Sequence, residues 1–223
     1  MTPAETVQPV ETPEVTEAPV ETPEPSPEPV ENSLPDIDIT SWEFILANPT
    51  HDIGEYTPEV DYLEGMPLDY RIIEPMREFV AAARAEGLSV YLSSGYRTYA
   101  DQVYLFNLKI GSGYSEEEAA KIVAKPGTSE HQTGLACDIT DIYRNPKTID
   151  ECENTATYQW MSKHCQEYGF IVRFPDGKSD ITGIMYEPWH FRYVGVEAAT
   201  YIMENGLCLE EFLDLYQQTP SEG

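Results

Sequence analysis

The chain has 223 residues, 41% of them hydrophobic, which suits a single domain with a packed core and room for an appendage. Its formal net charge of −27 sets it against nucleic acid and anionic lipid as partners. No run of about 18 apolar residues is present to span a membrane. No basic-then-apolar export signal follows Met1, which leaves a cytosolic protein or one whose export segment lies outside this chain.

Residues 1–36 stand apart from the rest. They carry half of the chain's prolines, many glutamates, no Lys or Arg and no aromatic residue. Such a segment buries too little apolar surface to offset the entropy of ordering, so disorder is expected. Proline and like charge keep it extended, with a reach of roughly 100 Å at about 3.1 Å per residue. It reads as an acidic stalk holding a domain away from a membrane, the plainer alternative being a disordered tail without a spacing role.

Residues 37–223 read as one α+β domain. Trp42 to Ala47 looks like a short apolar strand. Residues 72–86 carry apolar side chains at helical spacing, with Gly87 as the stop. Leu88 to Ser93 alternates like a strand, and a helix follows from Tyr99 to about Leu108. Ser115 and Glu118 form a capping box for a short helix that stops near Lys125-Pro126-Gly127. Leu135 to Thr140 is a strand, Thr157 to Tyr168 a helix ending at Gly169, and Phe170 to Phe174 and Trp189 to Val194 are strands. Helices near 196–204 and 209–217 close the chain. No regular βαβ rhythm is visible, so a mostly antiparallel sheet packed with helices is expected.

Four cysteines, Cys137, Cys152, Cys165 and Cys208, have no CxxC spacing, which argues against a cysteine zinc site. Cys137 falls on the apolar face of a strand. The other three leave open either one disulfide or buried free thiols.

Two of the four histidines sit in dense polar motifs. In Ser129-Glu-His131-Gln-Thr-Gly134-Leu-Ala-Cys-Asp138, residues Leu135, Cys137 and Ile139 alternate with Ala136, Asp138 and Thr140. Asp138 therefore points away from the apolar face, and a carboxylate in such a strand is costly unless paired or coordinated. His131 precedes it in a loop that Gly134 lets turn sharply. In Glu187-Pro-Trp-His190, alternation puts His190 on the face of Arg192, opposite Trp189, Phe191 and Tyr193. Pro188 interrupts the strand and turns Glu187 toward the same site. Two His and one Asp with an open fourth position match catalytic zinc, and also the ligand types of a mononuclear iron triad. The extra carboxylate of Glu187 favours hydrolysis, in which it serves as base. Each residue alone has a plainer role: a satisfied core histidine, a turn cap at Asp138, an ion pair between Glu187 and Arg192. His51 and His164 are read as ordinary loop and helix residues.

The pattern SxHxxGxAxD at Ser129–Asp138, followed by ExxH with Trp189 before His190, resembles the D-alanyl-D-alanine carboxypeptidases of the VanY type. These are part of a wider group of zinc peptidases that includes the VanX dipeptidases. The segment Ser93-Ser-Gly-Tyr-Arg97-Thr-Tyr-Ala-Asp-Gln102 resembles the same family, so three motifs recur in order between about residues 40 and 205. Thr98 and Cys137 are small departures from the pattern. The resemblance implies an α+β fold with an antiparallel sheet and one zinc ion held by His131, Asp138 and His190. It also implies Glu187 as catalytic base, Arg97 as stabiliser of the oxyanion, and Ser129 and Gln102 as pocket residues. Arg97 and Ser129 are further candidates for binding a terminal carboxylate.

The implied substrate is the C-terminal D-alanine of peptidoglycan stem peptides. An L,D-carboxypeptidase on tetrapeptide stems, a D,D-dipeptidase and an endopeptidase share the motifs. A non-catalytic wall-binding module is the reading from another class, and Glu187 with Arg97 argues against it. Substrate and stalk together imply an extracellular or cell-surface monomer, anchored to the membrane through a segment outside this chain.

Overall fold

The computed structural model describes residues 33–141 and 148–218. The stalk assigned to residues 1–36 lies outside the described residues up to position 32. From Leu34 onward the described residues belong to one unit. No helix among them is long and apolar enough to cross a membrane.

A hairpin of β1 (Val60–Leu63) and β2 (Met66–Asp69) leads into helix α1 (Ile73–Ala85). Then come β3 (Tyr91–Ser94), α2 (Tyr99–Gly111), α3 (Glu116–Ala120) and β4 (Ala136–Thr140). The second half runs α4 (Ile149–Glu153), α5 (Ala156–His164), β5 (Phe170–Val172), α6 (Ser179–Thr182), β6 (His190–Tyr193), α7 (Val196–Glu204) and α8 (Leu209–Gln218). The main sheet has four strands in the order β3-β4-β6-β5, every pairing antiparallel. The α+β architecture expected from the sequence is the one observed.

Alternation gives the sheet two different faces. On the first, Leu92, Cys137, Ile139, Phe170, Val172 and Phe191 pack against Met76, Phe79 and Val80 of α1 and Met161 of α5. Phe79 is the hub: it stacks on Tyr168 at 5.3 Å and Phe170 at 5.5 Å and meets Phe191 edge-on at 5.6 Å. Such ring pairs stabilise beyond their buried area. On the second face, Ile171 and Val194 join Ala199 and Ile202 of α7 and Phe212 of α8 in a smaller core. The rest of that face carries the polar side chains of β4 and β6.

The ends of the elements follow local chemistry. Thr98 caps α2 by accepting from Asp101 N at 3.0 Å, and the capping box of Ser115 and Glu118 is present. α3 stops at Ala120, five residues before the expected Lys125. The helix expected over 157–168 is α5 followed by a 3-10 turn at Cys165–Tyr168, closed by Gly169 at φ 80°. Trp42 to Ala47 is not a strand: Trp42–Phe44 forms a 3-10 turn. Its neighbouring carbonyls have a side-chain partner instead of a strand, because Arg192 Nη2 donates to Glu43 O at 2.6 Å and to Ile45 O at 2.9 Å. All four cysteines are free and buried, which decides for thiols over a disulfide. Burial pushes the thiols of Cys152 and Cys208 up to about 11 and that of Cys165 to about 12.

Replacing Phe79 by Ala removes the hub from under four aromatic neighbours, Trp160, Tyr168, Phe170 and Phe191. Urea unfolding should show a loss of about 3–5 kcal/mol; a loss below about 1 kcal/mol would mean this face repacks freely.

Candidate metal centre

Strand register brings the first two ligand candidates together. In the β4–β6 pair Asp138 lies opposite His190 and Cys137 opposite Phe191. Cys137 is thus committed to the apolar face while Asp138 and His190 share the polar one. His131 arrives from the 3-10 turn Glu130–Thr133, which ends at Gly134 with φ 73°. A side chain at Gly134 would be strained by that φ, and its Cβ would stand 2.9 Å from Asp69 N, so the loop closes there only with glycine.

Each imidazole has one nitrogen occupied from behind. His131 Nδ1 is 2.9 Å from Gly95 O, which turns Nε2 toward Asp138 Oδ2 at 3.5 Å. His190 Nε2 is 3.0 Å from Glu130 Oε2, which turns Nδ1 toward Asp138 Oδ1 at 3.0 Å. The three potential ligand atoms all lie within 4.8 Å of one another.

The donors fit a metal ion on their own evidence. Asp138 Oδ1 and His190 Nδ1 are buried and, although 3.0 Å apart, make no hydrogen bond to any group. If His190 carries its proton on Nε2, Nδ1 presents a lone pair to a carboxylate oxygen, an arrangement that needs a cation to relieve it. The field says the same. Burial disfavours a charged His190, yet the adjacent Asp138 and Glu130 carboxylates outweigh burial and raise it to about 10, so this point calls for a positive charge, carried by a proton on Nδ1 whenever no metal ion takes its place. Burial likewise opposes ionisation of Asp138, but His131 and His190 hold its carboxyl well below the usual carboxylate range.

Glu187 sits in the turn before β6, with its carboxylate 3.6 Å from His190 Nδ1 and partly exposed. Burial is the main cause that pushes its carboxyl up to about 7. The ion pair between Glu187 and Arg192 is not formed: Arg192 instead donates to Glu130 Oε1 at 2.7 Å. Arg97 follows β3, where a bulge between Leu92 and Ser94 sets Ser94 opposite Asp138. Its Nη2 donates to Ser94 Oγ at 3.1 Å and its Nη1 to Gln102 Oε1 at 2.9 Å, while its backbone N donates to His131 O at 3.0 Å. Burial lowers the Arg97 guanidinium from its ordinary value.

A cavity of about 520 Å³ is lined by Arg97, Ser129, His131, Asp138, Glu187 and His190, with Leu105, Leu108, Ile184, Met185 and Trp189 forming apolar wall. Gln102 is buried beneath that wall rather than part of it. It donates to Ala124 O at 2.6 Å and braces Arg97. Glu130, Arg173, Arg192 and Glu210 form a buried charged cluster behind His190 that the motif reading passed over. The signal was there as arginines inside apolar strand sequence, at Phe-Ile-Val-Arg173-Phe and His-Phe-Arg192-Tyr.

Two imidazole nitrogens, one carboxylate oxygen and an adjacent carboxylate that faces the cavity define a mononuclear metallopeptidase centre. The VanY family profile, described as D-alanyl-D-alanine carboxypeptidase, matches residues 66–196. A D-alanyl-D-alanine carboxypeptidase of Enterococcus faecalis is 41% identical over 187 residues, covering 79% of this chain and 68% of that protein. The solved structure of a VanY D,D-pentapeptidase from a VanB-type vancomycin-resistance cassette, in complex with Zn(II), is 39% identical. It superposes with a TM-score of 0.67 over 78% of this chain and 99% of that one. The LD-carboxypeptidase LdcB is 33% identical with a TM-score of 0.68, over 77% and 86% of the two chains. The chain belongs to the VanY family of carboxypeptidases. The Zn(II) of that VanY structure favours the zinc over the iron reading of the donor set formed here by His131, Asp138 and His190.

Stripping zinc should lower the melting temperature, and one equivalent of added zinc should restore it. Asp138→Ala should purify with well under one zinc and show no such recovery. Full zinc content in that variant, measured by metal analysis, would remove Asp138 from the ligand set.

Proposed function

We propose that this protein removes the C-terminal D-alanine from peptidoglycan stem peptides ending in D-Ala-D-Ala. His131, Asp138 and His190 hold zinc, Glu187 acts as general base and acid, and Arg97 is the fixed cation of the site. The observation that carries this reading is the convergence of five side chains on one cavity: the three ligand candidates, a carboxylate 3.6 Å from His190 Nδ1, and a guanidinium held by Ser94 and Gln102.

When bound, zinc acidifies a water molecule and polarises the scissile carbonyl. The Glu187 carboxylate takes the proton from the attacking water and returns it to the leaving amine of D-alanine. Arg97 needs no rearrangement to act, because both ends of its fork are already hydrogen-bonded and its backbone is tied to His131 O. Its charge faces the cavity without an ion-pair partner among the described residues, so it is available to an oxyanion or to the terminal carboxylate of the substrate. Ser129, on the same wall, offers a hydroxyl to that carboxylate. The apolar wall suits the methyl groups of alanine.

The likeness to an LD-carboxypeptidase, as good in fold as that to VanY, supports one second reading: cleavage of a tetrapeptide stem. We also propose that the enzyme works outside the membrane as a tethered monomer. That reading is supported by the location of stem peptides and by the acidic, proline-rich composition of residues 1–36.

Incubation with a pentapeptide stem should release one alanine, with chelator stopping the reaction and zinc restoring it, as read by mass spectrometry. Cleavage of the tetrapeptide alone would establish the L,D activity instead. Cleavage of neither, in a protein holding one zinc, would leave a binding module. Glu187→Gln should keep zinc and lose about 10²–10⁴-fold in kcat, and Arg97→Met about 10²–10³-fold. Near-normal turnover in either would refute the role given to that residue.

A further inference from the structure

Two arginines and a glutamate are sealed directly behind the metal-facing side chains. Arg173 and Arg192 have no exposed surface. Both donate to the same oxygen, Glu130 Oε1: Arg173 from Nε at 2.6 Å and Arg192 from Nη1 at 2.7 Å. The other oxygen, Oε2, faces His190 Nε2 at 3.0 Å. Arg173 points its remaining two nitrogens at Glu210 of α8, at 2.9 and 2.7 Å, and Asn48 Nδ2 donates to that carboxylate at 2.9 Å.

Stability alone is a poor reason for such a cluster. Desolvating several ions costs as much as their attraction returns, and apolar residues of equal volume often do as well. What the cluster achieves is directional. Two guanidiniums on Oε1 leave Oε2 as a pure acceptor, so the hydrogen atom between Glu130 and His190 belongs on Nε2. In the neutral ring that metal binding requires, the lone pair of His190 is then on Nδ1, on the side of Asp138 Oδ1. His131 has no such backing: a backbone carbonyl, Gly95 O, fills that place.

We infer that Glu130 is the positioning residue of the metal centre. Its carboxylate, bracketed by Arg173 and Arg192, fixes His190 as the Nε2–H tautomer, turns Nδ1 toward the metal and strengthens that ligand. The inference rests on His190 being a zinc ligand and goes beyond it by assigning the group that makes it one. A ligating histidine backed by a carboxylate loses metal affinity when the carboxylate is removed, by about 10- to 100-fold.

The test is zinc affinity, measured on the full chain by competition with a chromophoric chelator. Glu130→Gln keeps the shape of the side chain and should bind zinc about 10- to 100-fold more weakly, with the ¹⁵N signals of His190 losing the single Nε2–H pattern. Glu210→Gln breaks the same cluster on the far side of Arg173. It should lower the melting temperature and leave zinc affinity as in the parent. Equal losses of affinity in the two variants, or none in Glu130→Gln, would overturn the assignment. If Glu130→Gln fails to fold, Glu130→Asp keeps the charge between the arginines but withdraws from the imidazole. It should show an intermediate loss, and parental affinity would overturn the inference. Unchanged zinc binding in His190→Ala would instead sink the metal-site reading itself, whatever the Glu130 variants do.

Discussion

The antiparallel register of β4 against β6 is the constraint from which the site follows. It places Asp138 directly across from His190 and, one residue along, Cys137 across from Phe191. A slip of one position would move every side chain of a strand to the opposite face. Asp138 would then enter the layer occupied by Phe79 and Phe170, and the aromatic core would lose its complement. The apolar face and the polar face therefore hold each other in register: packing on one side keeps the charged groups aligned on the other.

The charged groups depend in turn on elements distant in the chain. Glu130 stands 43 residues from Arg173 and 62 from Arg192. Glu210 brings α8 into the same cluster, and the carbonyls of Glu43 and Ile45 bring in the segment before β1. Segments from the start and end of the described domain thus meet behind the metal-facing side chains, and the site depends on the whole fold rather than on one loop.

Much of this was legible in the sequence, for physical reasons that differ from residue to residue. The alternation of Leu135 to Thr140 has period two and a glycine before it, so it gave both the strand and the direction of Asp138. Capping at Ser115 and Glu118 is local chemistry and was read directly. Trp42 to Ala47 was misread because a six-residue apolar run carries no period, and its backbone partner is a side chain far along the chain. The hairpin of β1 and β2 escaped because its turn uses Glu64 at φ 54° with Gly65 rather than the usual Asn-Gly or Asp-Gly. At the site, the placement of His131, Asp138, His190, Glu187 and Arg97 around one cavity was visible as motif spacing. Glu130 was not, since a glutamate beside a histidine in a turn looks solvated until its buried partners are known. Gln102 was placed in the right neighbourhood, but only the tertiary structure shows it facing Arg97 and Ala124 instead of the cavity.

The four buried cysteines bear on how such a domain keeps its working form. None is bridged, and burial keeps the thiols protonated far above neutral pH, where they are poor nucleophiles. The described domain is therefore held together without a covalent cross-link between its cysteines, and its elements stay in place through packing and hydrogen bonding alone. A thiol reagent should accordingly find these side chains only when the domain opens, which makes their labelling rate a direct reading of how often the core is breached.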